Sequence, residues 1–141
     1  MHGRDVFTLD LRGAPHLDLC RRRLQQQVRG RVNNGLAAAI WLGVPCNSWS
    51  RARDRPGGPP RLRTDTEVMG LSSLVPGDLE KVRTGNILMR FAVSLIHVCI
   101  DVGVPVAVEN PHMSRLWLAP PMIAVSKKMQ SVVSDFCQHQ I

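Results

Sequence analysis

Hydrophobic and polar positions alternate along the chain between short apolar runs and one long helical stripe. Residues 5–11, Asp-Val-Phe-Thr-Leu-Asp-Leu, form a short run that is β-branched or aromatic in part and is stopped by Gly13-Ala14-Pro15, as expected of a strand ending in an acidic residue. Residues 17–32 carry Leu19, Leu24 and Val28 among Arg21, Arg22, Arg23 and Arg29, which suits an amphipathic helix facing solvent, with Asp18 placed to cap its start. Asn33-Asn34-Gly35 turns the chain. Residues 36–44 are then continuously apolar and read most simply as a buried parallel strand, although three alanines leave a helix open.

The pattern breaks between Pro45 and Pro76. Prolines at 45, 56, 59, 60 and 76, a Gly57-Gly58 pair and arginines at 51, 53, 55, 61 and 63 leave no core periodicity, so a long functional or disordered loop is expected over about residues 47–76. Order returns with a helix from Asp78 to about Val102. Val82, Leu88, Phe91, Leu95, Cys99 and Val102 mark its buried stripe, and Gly103 closes it. Residues 104–109 read as another short strand, 113–117 as a helical turn and 130–137 as a last strand. This succession of strands and helices predicts an α/β domain with a parallel sheet and helices on both faces. Ligands in such sheets bind beyond the carboxyl ends of the strands.

Composition narrows the picture. At 141 residues and 44% hydrophobic, the chain has the length of one domain and the means to bury a core. Its apolar runs look too short or too interrupted to span a membrane, and the first residues lack the apolar core of a signal peptide, so a soluble intracellular protein is expected. Cysteines at 20, 46, 99 and 137 show neither zinc-ligand spacing nor a disulfide framework, so no metal is expected. The net charge of +7 points to a polyanionic partner, nucleic acid first.

The candidate chemistry lies at two strand ends. One strand runs into Pro45-Cys46-Asn47-Ser48-Trp49-Ser50, the other into Glu109-Asn110-Pro111-His112. If both belong to one parallel sheet, Cys46 and Glu109 face a common crevice, where a thiol and a carboxyl support nucleophilic attack with protonation of the substrate. Arg51 and Arg53 lie close enough in sequence to favour a thiolate. The alternatives are a small buried hydrophobe at Cys46 and a structural ion pair at Glu109. Trp49 suits either stacking on a base or packing the loop onto the sheet.

Pro45-Cys46 after one strand and Glu109-Asn110 after a later one resemble two signatures of the DNA (cytosine-5) methyltransferases, in order and in placement. A narrower resemblance covers most of the chain: residues 41–53, Gly85-Asn86, Glu109-Asn110-Pro111 and Ser114-Arg115-Leu116-Trp117 are similar to methyltransferase-like proteins of viral, mobile-element and environmental origin. The resemblance implies a Rossmann-like methyltransferase core in which Cys46 adds to C6 of a flipped-out cytosine. Glu109 would contact N3 and the exocyclic amine, and C5 would then take a methyl group from S-adenosyl-L-methionine. It implies that Asn110, on the DNA side of the site, helps hold the loop, and it implies cofactor contacts for Asp10, Asp18 and Pro45. Beside the nucleophile, Ser48, Arg51 and Arg53 are placed to bind the base or its flanking phosphates, a turn-capping serine and a solvated flexible loop being the alternatives. The family's glycine-rich turn before Asp10 is missing, and Glu-Asn-Val is Glu-Asn-Pro here. The expectation is therefore a partial catalytic domain, incomplete at both ends and incomplete or inactive in itself. A catalytically inactive DNA-binding domain of the same fold is the alternative.

Overall fold

The computed structural model describes residues 17–134 together with Val6 and Leu9. In chain order it contains α1 (Arg22–Asn33), β1 (Ile40–Gly43), α2 (Pro76–Val102), β2 (Val106–Glu109) and α3 (Pro120–Ser126), with 3-10 turns at Arg51–Asp54 and Arg115–Leu118. The strand expected at residues 5–11, with Asp10 at its end, lies outside the described residues except for Val6 and Leu9.

β1 and β2 pair in parallel, Ile40 opposite Val106 through Gly43 opposite Glu109, and α2 is the crossover between them. A parallel pair requires such a connection, because the chain must return to the same end of the sheet before starting the second strand. The result is a mixed α/β fold on a two-stranded parallel sheet. Alternation divides the strands cleanly. Ile40, Leu42, Val106 and Val108 pack into the core with the helices, while Trp41 on the opposite face is 72% exposed. Among the described residues the helices therefore cover one face of the sheet rather than both.

α2 organises everything else. Pro76 occupies its first turn, where a missing N–H costs no hydrogen bond, and Gly103 ends it at φ +73°, a conformation open to glycine because it has no Cβ. Phe91, Leu95 and Cys99 on one flank close over Val32 of α1; Met89, Ala92 and Ile96 on another pack with Val44, Trp49, Leu116 and Met122. The helix is long and apolar enough to cross a membrane by length and composition, which the broken apolar runs of the sequence did not suggest, yet its buried residues are those of a core helix.

Several boundaries differ from the sequence reading for identifiable reasons. Residues 36–44 yield a strand only from Ile40, because Gly35 turns at φ +71° and leaves Leu36 exposed. α1 starts at Arg22 without a side-chain cap; Asp18 lies three residues ahead of the capping position and accepts instead from the Cys20 amide at 2.8 Å. Asp78 sits inside the first turn of α2 and pairs with Lys81 at 2.7 Å. Of the strand expected at residues 130–137, residues 130–134 form none and 135–137 lie outside the described residues. α3 had no counterpart in the periodicity, although Pro120-Pro121 at its start is a helix-opening signal.

Candidate active site at the strand ends

Cys46 lies three residues beyond β1 and Glu109 is the last residue of β2, so the in-register pairing brings both to one end of the sheet. Both are exposed, as is Pro45. The Asn110 side-chain amide donates to the Val44 carbonyl and ties the two strand-end loops together. Glu109 shares a face with Gly43, whose missing side chain leaves open the space beside the carboxylate: a Cβ there would lie 3.9 Å from Glu109 Oε2. Cys46 opens a tight turn in which its carbonyl accepts from the Trp49 and Ser50 amides at 2.9 and 2.8 Å.

Arg63 builds the floor of that turn. Its side chain is buried, and each of its five N–H groups has an acceptor. Nε donates to the Ser48 carbonyl at 3.0 Å. Nη1 donates to the Val68 carbonyl and to Asn86 Oδ1, both at 2.8 Å, and Nη2 donates to Ser48 Oγ and to the Val82 carbonyl at 3.1 and 3.2 Å. The guanidinium also stacks 3.4 Å over the Trp49 ring. Among the described residues no carboxylate shares this pocket, and burial pushes the Arg63 pKa down to about 10, leaving it charged at neutral pH. Nothing in the run of arginines distinguishes Arg63 from Arg61, which is why the sequence reading placed no core there.

Gly85 on α2 makes room for this arrangement. A Cβ at that position would stand 2.5 Å from Ser48 Oγ, 3.0 Å from Arg63 Nη2 and 3.2 Å from Trp49 Nε1. Alanine favours a helix interior over glycine by about 1 kcal/mol, yet Gly85→Ala is expected to destabilise the protein by about 1–3 kcal/mol, the usual cost of overpacking. A denaturant midpoint equal to or above that of the parent would contradict this packing.

Arg115 holds the loop from the other side. It is nearly buried, grips Asp54 with two nitrogens at 2.8 and 3.2 Å and reaches Asp65 at 2.9 Å, while its amide donates to the Trp49 carbonyl. Arg61 adds to Asp54 at 3.2 Å and Arg51 to Asp65 at 2.9 Å. Hydrogen bonds from Arg115 hold the Asp54 carboxyl below the usual carboxylate range, those from Arg51 and Arg115 do the same for Asp65, and the two carboxylates raise the Arg115 pKa. The segment expected as a loop without core contacts is thus cross-linked by charge and buries Trp49, Leu62 and Val68.

The residues singled out from sequence are distributed unevenly. Cys46, Glu109, Asn110 and Pro45 gather at the strand ends. Ser48 turns its hydroxyl inward onto Arg63 and is buried, and Trp49 is packed beneath the loop rather than offered to a base. Arg51 Nε donates to the Met113 carbonyl; Arg53 donates to the carbonyls of Asn47 and Pro60. An open concavity of about 390 Å³ separates the two loops, with Arg51 and Arg55 on one side and Pro111 and Met113 on the other. Of the other thiols among the described residues, Cys99 is buried and Cys20 is pushed up to about 11 by burial and by Asp18, so neither is a ready nucleophile.

No family model, curated protein or solved structure matches the chain.

Of the cofactor residues implied by the resemblance, Asp10 lies outside the described residues, Asp18 accepts from the Cys20 amide through Oδ1, and Pro45 is exposed beside Cys46. No group of three His, Cys, Asp or Glu stands together among the described residues.

Proposed function

We propose that this chain carries the base-activating site of a DNA (cytosine-5) methyltransferase-like protein, on a Rossmann-like core, with Cys46 as nucleophile and Glu109 as the carboxyl that receives the ring nitrogen. The observation that carries the reading is the exposed Cys46 and Glu109 at one end of two in-register parallel strands, with Asn110 bonding one loop to the other.

The chemistry needs both groups. C5 of cytosine is a poor nucleophile while the ring is aromatic. When the Cys46 thiolate forms a bond to C6, the electrons of the C5–C6 double bond shift toward C5 and N3, and a protonated Glu109 neutralises the charge at N3. C5 then attacks an electrophile. In this reaction class the methyl donor is S-adenosyl-L-methionine, and no step here depends on how it is held. Transfer of the C5 proton to water, expulsion of the Cys46 thiolate and return of the N3 proton to Glu109 restore the aromatic ring. The target base must leave the duplex stack to be reached, and the open concavity beside Arg51 and Arg55 leaves room for the flanking backbone.

The test is covalent trapping on DNA containing 5-fluorocytosine, with and without S-adenosyl-L-methionine. Once methylated, the fluorinated C5 has no proton to lose, so the thioether persists under denaturing electrophoresis. An adduct that requires the cofactor and disappears in Cys46→Ser is the expected outcome. An adduct unaffected by that substitution removes Cys46 as nucleophile, and no adduct in any condition removes the enzymatic reading of this chain.

A further inference from the structure

The positive charge of this protein is not confined to the loop its sequence points to. Around Cys46, Arg51, Arg61 and Arg115 share Asp54 and Asp65 and Arg63 is buried, while Arg53 bonds two carbonyls and Arg55 is exposed. α1 is different. Between Arg22 and Asn33 it holds four arginines and no acidic residue, which is +4 of the net +7. Its apolar residues Val28 and Val32 face Phe91, Leu95 and Cys99, and Arg29 is fixed to Ser94 Oγ at 3.0 Å. What remains outside is Arg22, Arg23, Gln26 and Gln27, all exposed.

We infer that this outer face of α1 is a second nucleic-acid surface that docks on the phosphate backbone. Its chemistry selects that partner over other polyanions. A helix that lies on an anionic membrane inserts an apolar face, and the apolar face of α1 is already spent on α2. A stable protein interface centres on buried apolar or aromatic anchors, and this face offers none. Arginine and glutamine side chains together are suited to phosphate and sugar oxygens. Arg22 and Arg23 also stand in the first turn of the helix, where the dipole disfavours cations, and a phosphate there relieves both the dipole and the mutual repulsion.

The position of α1 connects this surface to the strand ends. α2 joins two parallel strands and so runs against them, which puts its first turns at the end of the sheet where Cys46 and Glu109 emerge. α1 runs alongside α2 in the same direction: Glu80 acts on Cys20 just ahead of α1, and Arg29 bonds Ser94 further along. Arg22 and Arg23 therefore lie at the same end of the molecule as the candidate active site, and exposed Arg90, one turn from Ser94, extends the positive surface onto α2. The inference shares its partner with the proposed function, but it rests on different residues.

The experiment measures the affinity of a short fluorescent DNA duplex against salt concentration for the full chain and for Arg22→Gln/Arg23→Gln, with helicity checked by circular dichroism. Each lost phosphate contact lowers the slope of log affinity against log salt by about 0.9, so the double variant should lose about 1.8. Arg22→Lys/Arg23→Lys should keep the parental slope. An unchanged slope in the glutamine variant, or a loss confined to vesicles of equimolar phosphatidylcholine and phosphatidylserine, overturns the inference. Cys46 trapping on 5-fluorocytosine DNA at low salt separates the two readings. A reduced slope without any adduct leaves the α1 surface standing and the active site refuted; an adduct with an unchanged slope does the reverse.

Discussion

Replacing Arg63 with alanine should lower stability by about 4 kcal/mol, in the range for removing one partner from a buried charged network. For a chain of this size that is a fall in melting temperature of more than about 10 °C. The substitution strands the carbonyls of Ser48 and Val68 and the side chains of Ser48 and Asn86, takes a second donor from the Val82 carbonyl inside α2, and leaves Trp49 with an empty space where the guanidinium lay. Arg63→Lys should recover less than half of the loss. An ammonium is a point charge with three donors and cannot span five acceptors arranged around a plane. Thermal denaturation by circular dichroism reads both variants. A lysine variant as stable as the parent would mean that the charge matters and the planar fork does not.

Acid should loosen the same loop from the Arg115 side. Asp54 and Asp65 have carboxyl pKa values below their unfolded values, so their pairing contributes its full stability above about pH 4, the ordinary carboxylate pKa. That contribution disappears as pH falls through the depressed values, because the folded state must then bind protons it resists. Arg115→Ala should cost about 3 kcal/mol at pH 7, since it removes a nearly buried cation whose two-point grip on Asp54 is the tightest contact of the network. The difference between parent and variant should shrink as pH drops from 5 to about 2.5. Urea midpoints across that range decide the matter. A gap that stays constant with pH would place the effect of Arg115 in packing rather than in its ion pairs.

The parts of the fold legible in the sequence were those in which one residue class recurs with a period. The stripe through Leu88, Phe91, Leu95 and Cys99 gave α2, and Gly103 gave its end, because burial of a helix face and a left-handed cap each leave a local mark. The strand-end placement of Cys46 and Glu109 followed from the same logic. The loop between β1 and α2 was illegible for a physical reason: its core is polar. Arg63 is buried by satisfying acceptors at positions 48, 68, 82 and 86, and Arg115 by acids at 54 and 65, so the code is written in distant pairs rather than in apolar spacing. The 3-10 turn at Arg115–Leu118 falls on the helical turn expected over 113–117, whereas that at Arg51–Asp54 is capped by the Ser50 side chain and α3 is fixed by packing onto α2 and by prolines, neither of which produces a period.

The five donors of Arg63 also impose an order of assembly. Two of its acceptors, Val82 and Asn86, are on α2, and the others are on segments that lie far from it until the crossover has closed. A guanidinium cannot leave water before those acceptors are in place, because each unmet donor would cost more than burial returns. Burial of Arg63 beneath the Cys46 turn is therefore complete only once α2 has docked on the strands. Until then the segment that carries Cys46 lacks the floor on which its turn rests in the folded molecule.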